Sequence, residues 1–264
     1  MDELRFGVIS LNHPLIMFRQ YLPFTDFLTD QLSTTVSLYL AKDYRSIVEA
    51  LVRQEIHFAL LAGVSFVDAS LTSEEITPVC SVLSADGSLA VRSVFITRGE
   101  RDDIDTLPDL VGKSFAFGSP ESTSSYLKPL GYLYHHGISP DKLAFFDNLP
   151  TQDAVIRSVL RGTHDAGAVS TGAAARFKEA GLKEIAVTDS YPGFVIVASP
   201  LVPPELRKKL QTILLNLDYS DAEVASLVVR WSPLLRNGFA PTPEAAYTSI
   251  FQLMTELHEA GIYR

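Results

Sequence analysis

Cysteine is almost absent: Cys80 is the only one in 264 residues. A single thiol excludes a disulfide framework and a cysteine-based zinc site. Within the apolar run 77–83 it reads as a buried structural thiol rather than a reactive one. No stretch of about 18 apolar residues occurs, so no membrane span is expected. The start, Met1-Asp-Glu-Leu-Arg5, carries no signal-peptide pattern and runs directly into a strand pattern. Either a cytoplasmic chain or one whose leader or anchor has been removed fits that start. Basic charge is also scarce, with 22 Lys and Arg against 31 Asp and Glu and a net charge of −9. Nucleic-acid binding needs clustered cations on one face, so no nucleic-acid partner is expected. Any anionic ligand must be held by local donors, because the overall field weakly repels it. Low-complexity runs are missing too, and the 15 prolines and 15 glycines are scattered as punctuation.

Enzyme signatures are equally scarce. There is no Gly-x-x-x-x-Gly-Lys-Ser/Thr, no Gly-x-Ser-x-Gly and no His-Glu-x-x-His. His135 and His136 are adjacent, and adjacent helical positions point in different directions, which makes a poor metal pair. His164 reads as a solvated turn residue ahead of a strand, whereas His13, just after the first strand, is a candidate for ligand contact. Trp231 and the tyrosines lack the basic interleaving of a nucleic-acid platform. No catalytic residue, metal or cofactor is expected.

What is present is an alternation of strand and helix patterns. Residues 4–10 read as a strand, and Phe24, Phe27, Leu28 and Leu32 form the stripe of a helix with Pro23 in its first turn. Val36, Leu38 and Leu40 alternate as a strand. Asp43 is placed to cap a helix carrying Tyr44, Ile47, Val48 and Leu51, and 58–62 is a buried strand. This rhythm implies an α/β fold with mostly parallel sheets flanked by helices. A second series follows over 96–190, with strands at 114–117, 143–146, 165–169 and 185–187 and helices near 122–136, 151–161 and 171–180. Residues 194–198 form another buried strand. Three helical patterns end the chain: one around Leu206, Leu210 and Leu214, then 221–231 and 243–260. With no flexible linker, two lobes would be joined by ordered crossing strands near 92–97 and 191–198. The expected division is 1–95 with 191–264, and 96–190.

The densest chemistry lies in 112–129. A short apolar strand ends at Phe117; Gly118, Ser119 and Pro120 turn the chain, and Ser122 or Thr123 opens a helix. Ligands of open α/β lobes bind at the carboxyl ends of strands, where this turn falls. A helix start offers free N–H groups and the positive end of a dipole. Ser122, Thr123 and Ser124 add three hydroxyls, enough to surround a tetrahedral oxyanion without a lysine. Ser and Thr are also the ordinary N-caps, and local chemistry alone leaves both readings open.

The segment Phe117-Gly-Ser-Pro-Glu-Ser-Thr-Ser-Ser-Tyr-Leu-Lys-Pro129 resembles the Ser-Thr-Ser signature of the phosphonate-, phosphite- and phosphate-binding proteins of ABC importers. Asp43-Tyr44, Asp86-Gly87-Ser88, Asp153-Ala-Val155 and Arg161-Gly-Thr-His-Asp-Ala-Gly-Ala-Val169 resemble further blocks of that family in order and spacing. The similarity runs over about residues 4–215. It implies a two-lobed type II periplasmic-binding-protein fold joined by two crossing strands, with a small oxyanion clamped between the lobes. It implies an extracytoplasmic setting and an ABC permease or a receptor as partner. Ser122, Thr123 and Ser124 would hold the oxyanion from one lobe, and Tyr44 matches a tyrosine reaching it from the other.

Several positions depart from the family pattern. Arg92 stands where many relatives carry a tyrosine, before Ser93-Val94, and an arginine there could grip an oxyanion bidentately; a surface arginine is the competing reading. Gln152 replaces a histidine and keeps a donor without a titrating charge. Relatives that bind aminoalkyl phosphonates use carboxylates where Gly172 and Phe194 fall. A pocket without that counter-charge should reject an ammonium. The expected function is capture of a phosphonate, phosphite or phosphate for an importer. A sensory input domain of a receptor, or an enzyme of related fold, are the alternatives.

Overall fold

A computed structural model describes residues 3–10 and 13–263, so Met1 and Asp2 of the leader question lie outside it. In chain order the first elements are β1 (Glu3–Ile9), α1 (Pro14–Leu32), β2 (Thr35–Ala41), α2 (Tyr44–Val52), β3 (Phe58–Leu61), α3 (Gly63–Thr72) and β4 (Thr77–Val82). Next come β5 (Ala90–Val91), β6 (Ser93–Arg98), β7 (Ser114–Phe117), α4 (Lys128–His135), β8 (Phe145–Asn148), α5 (Gln152–Leu160), β9 (Ala166–Ser170), α6 (Thr171–Ala175), β10 (Leu182–Val187) and β11 (Tyr191–Pro192). The chain ends with β12 (Val195–Ala198), α7 (Pro204–Leu215), α8 (Ala222–Val228), β13 (Phe239–Ala240) and α9 (Thr248–Glu259).

The chain divides into two compact units, Met1–Ala90 with Pro192–Tyr247, and Val91–Tyr191 with Thr248–Arg264. It passes between them in β5 and β11, which pair as a two-stranded ribbon, and again before α9. The last passage differs from the expected division, which left everything after 190 in the first unit. The reason is packing: Leu253 of α9 lies so close to Gly131 of α4 that a Cβ there would come within 2.7 Å of it, and His135 pairs with Glu256 at 2.8 Å.

The first unit is built on a six-stranded sheet ordered β13-β4-β12-β3-β1-β2. Strand β1 is parallel to β2 and β3, whereas β12 is antiparallel to β3 and β4. In the second unit the order is β10-β6-β9-β7-β8, with β7 parallel to β8 and β9 and β6 antiparallel to β9 and β10. Most strands of each sheet thus run one way, with β12 and β13 reversed in the first and β6 reversed in the second. The antiparallel strands β6 and β12 each follow a passage between the units, with no crossover helix to return them in the parallel sense.

Helix α1 starts earlier than its apolar stripe suggested. His13 caps it, Pro14 takes the first position, and Pro23 lies inside it. An interior proline removes the N–H that would bond to the fourth residue back, here Arg19. The face bearing Phe24 and Phe27 is held by Trp231, whose ring lies 5.0 and 5.1 Å from theirs. Buried Phe6, Phe24, Leu28, Leu60, Ile196 and Trp231 belong to the core of this unit. Val94, Ile96, Ala116, Val155, Ile156 and Val169 belong to that of the other.

Candidate functional site

The turn after β7 is shaped by backbone contacts. Gly118 N–H donates to the Ser125 carbonyl at 2.8 Å, and Asn148 Nδ2 donates to the Gly118 carbonyl at 2.8 Å. A Cβ on Gly118 would fall 1.9 Å from Ser125 Oγ, so only glycine allows this approach. Ser122 N–H closes onto the Ser119 carbonyl at 2.8 Å, and Ser119 Oγ donates to Glu121 at 2.5 Å.

The helix that follows is not uniform. Residues Thr123–Leu127 form a π-helical turn, with Leu127 N–H reaching back five residues to the Ser122 carbonyl at 3.0 Å, before α4 continues as an α-helix. Such wide turns are rare and recur at functional sites. Ser122 is the cap: its Oγ accepts from Ser125 N–H at 3.2 Å and from Ser125 Oγ at 2.7 Å. The cap reading of this residue is therefore met in the structure. Ser122 and Thr123 are buried, and Ser124 is half-buried.

Gln152, at the first position of α5, is joined to the turn. Its Oε1 accepts the Ser170 N–H at 2.7 Å, which fixes the amide so that Nε2 donates to Ser124 Oγ at 3.1 Å. A histidine at this position would bring a titratable ring to Ser124; the amide brings a neutral donor. Arg92 is exposed, with its carbonyl accepting from Thr171 N–H at 3.0 Å. It directly precedes Ser93, whose Oγ donates to the Ser124 carbonyl at 2.7 Å. Ser122, Thr123, Ser124, Gln152 and Arg92 thus belong to one unit, whereas Tyr44 belongs to the other. Tyr44 is buried at the start of α2, where Asp43 caps the helix by accepting from Ser46 N–H at 2.8 Å.

Gly172, the second residue of α6, has nothing within 4 Å of where a Cβ would stand, and Phe194 packs against the core of the first unit. Neither carries a charge. Sequence reasoning placed Gly118 in the turn but did not single out Ser125, Asn148 or Tyr191 as parts of its support. Gly118 and Ser125 fall within the quoted signature, but Asn148 and Tyr191 have no local pattern that marks them.

The remaining candidates have structural roles. His13 Nδ1 accepts from Leu15 N–H at 3.3 Å at the start of α1. His136 Nδ1 lies 2.7 Å from the Tyr132 carbonyl. His164 is not solvated as expected; it is 2% exposed, with Nε2 3.1 Å from an Asp147 carboxylate oxygen on β8. The turn before β9 is drawn inward because Asp165 accepts from Ser114 N–H at 2.9 Å and pairs with Arg101 at 2.5 Å. Cys80 is fully buried in β4, and burial pushes its thiol up to about 12. Among the described residues no group of three or more His, Cys, Asp or Glu gathers as a metal site, and no helix is long and apolar enough to cross a membrane.

The family described as the periplasmic substrate-binding protein of phosphonate ABC transporters matches residues 6–247. The chain belongs to that family. It is 25% identical over 232 residues to the phosphate-import protein PhnD of Mycolicibacterium smegmatis, covering 80% of this chain and 71% of that one. Among solved structures, PhnD1 from Prochlorococcus marinus in complex with methylphosphonate matches with a TM-score of 0.86 at 21% identity, over 98% of this chain and 99% of that one. A binding protein component of an ABC phosphonate transporter from Pseudomonas aeruginosa matches with a TM-score of 0.82 at 22% identity, over 98% of this chain and 86% of that one. These likenesses establish the type II periplasmic-binding-protein fold. As a member of the family, the chain is a substrate-binding component of an ABC importer, and substrate-binding proteins of this kind work outside the cytoplasm and are not enzymes.

Proposed function

We propose that this substrate-binding protein captures a small phosphorus oxyanion, a phosphonate, phosphite or phosphate, in the periplasm at the turn Ser122-Thr123-Ser124. The observation that carries the reading is the buried, capped π-helical turn at the carboxyl end of β7, with Gln152 fixed as a donor to Ser124. Helix-start N–H groups and neutral hydroxyls hold an anion by charge-assisted hydrogen bonds, with no lysine needed. Arg92 and Tyr44 belong to the proposed contact set. Arg92 is included because a guanidinium presents two parallel donors to an oxyanion; Tyr44 rests on the family resemblance. Gly172 and Phe194 supply no carboxylate, so an aminoalkyl phosphonate would leave its ammonium unpaired. The ligand leaves as it entered, with no turnover.

A thermal-shift panel of phosphate, phosphite, methylphosphonate, ethylphosphonate, 2-aminoethylphosphonate and sulfate tests this. At 100 times its dissociation constant a ligand adds about 2.7 kcal/mol, a rise in Tm of roughly 5–10 °C. At least one phosphorus oxyanion without an amine should give that rise, and phosphorus NMR should find it unchanged after incubation. A rise with the aminoalkyl compound alone would refute the specificity; no rise with any phosphorus compound would refute the ligand class.

A further inference from the structure

The hydrogen bonds behind the anion turn run in one direction. Ser93, the first residue of β6, is fully buried, and its Oγ lies 2.7 Å from the Ser124 carbonyl and 2.7 Å from the Tyr191 hydroxyl. A carbonyl only accepts, so the single Ser93 proton goes to Ser124 and Tyr191 must donate to Ser93. Burial raises the Tyr191 pKa, and the Ser93 and Ser124 hydroxyls offset only part of that, so the phenol keeps the proton it donates. Lys128 Nζ stands 5.4 Å from the centre of the Tyr191 ring, which makes the phenol a stronger donor. The Ser124 carbonyl shares its peptide group with the Ser125 N–H, which donates to Ser122 Oγ at 3.2 Å, while Ser125 Oγ donates to the same oxygen at 2.7 Å. With both lone pairs of Ser122 Oγ occupied, its own proton is all it has left to offer.

We infer that Ser93 and Tyr191 are positioning residues for ligand capture. They feed a head-to-tail chain, from Tyr191 to Ser93 to the Ser124–Ser125 peptide to Ser122, that fixes the Ser122 hydroxyl as a donor toward a deprotonated oxyanion. The inference rests on the reading that this turn binds the anion. Each bond in such a chain polarises the next, by about 10–30% per bond. A hydroxyl locked as a donor favours a ligand oxygen without a proton and disfavours one that must itself donate.

The test uses the full chain, labelled with nitrogen-15, as wild type, Tyr191→Phe, Ser93→Ala and Thr123→Val. Inorganic phosphate and methylphosphonate are the probes. In ligand-free Tyr191→Phe the Ser125 amide proton should move upfield as its bond to Ser122 weakens. Affinity for the bound probe should fall roughly two- to tenfold. Ser93→Ala should move both readouts in the same direction and further, which keeps the inference testable if either variant is unstable. A merely structural role would lower stability without this pairing of amide shift and affinity. An unmoved Ser125 resonance, or wild-type affinity in both Tyr191→Phe and Ser93→Ala while Thr123→Val is impaired, would overturn the relay and leave the anion turn standing. Wild-type affinity in Thr123→Val, or a wild type that binds neither probe, would remove the anion turn and the relay with it.

Discussion

In the proposed site Ser122 is both the cap of its helix and a binding group. Its oxygen satisfies a first-turn N–H, as a cap does, and that same bond frees its proton for an acceptor outside the helix. Gly118 makes the arrangement sterically possible, and its substitution is informative. In Gly118→Ala the new methyl would meet Ser125 Oγ at 1.9 Å and Ser125 Cβ at 2.7 Å. Overpacking of this kind costs about 1–3 kcal/mol. The variant should melt at lower temperature and bind phosphorus oxyanions more weakly; wild-type values in both melting and titration would show that the turn tolerates the shift. At this scale the hydroxyl triplet was legible in the sequence because three polar residues at a helix start are conspicuous. Tyr191 was not, because its partner Ser93 lies far away in the chain and only the fold brings them to 2.7 Å.

Among the elements, α2 offers the cleanest test of local design. Asp43 and Ser46 form a reciprocal capping box, with Ser46 Oγ accepting from Asp43 N–H at 3.0 Å. The Ser46 N–H bond, followed by the Ser46 hydroxyl, holds the Asp43 carboxyl below its ordinary range. A carboxylate whose folded pKa is depressed contributes stability above its unfolded pKa, near 3.9, and loses it as pH falls through the folded value. Asp43→Ala should cost about 1 kcal/mol at neutral pH, with the difference from wild type shrinking in acid below about pH 4. A constant difference down to pH 2 in denaturant titrations would show that the charge plays no part. This cap was legible because Asp precedes an apolar stripe at helical spacing. The start of α1 was not: Pro23 looked like a first-turn proline, but Pro14 occupies that place and Trp231, distant in sequence, holds the helix on through the interior proline. The π-helical turn before α4 was likewise invisible, since no helical period in the sequence marks its wide pitch.

For the whole molecule, the alternation of strand and helix patterns disclosed the α/β class and two series of elements. The rhythm pointed to parallel strands, but nothing in it marked the two reversed strands, so the antiparallel entry of β6 and β12 emerged only from the pairing itself. The assignment of α9 to the second unit depends on contacts with α4 that no local pattern announces. The charge of −9 sets the functional problem, because a molecule that repels anions overall must concentrate its donors where one is to be held. On the proposed reading, the Ser122–Ser124 turn supplies that concentration. The most direct test of the account is calorimetric titration of wild type and Thr123→Val with phosphate and methylphosphonate. Hydrogen bonds to charged groups are worth about 1.5–3 kcal/mol, so loss of the Thr123 hydroxyl should weaken the bound ligand by roughly tenfold or more. Wild-type affinity in that variant would contradict the account and leave the turn as a helix cap alone.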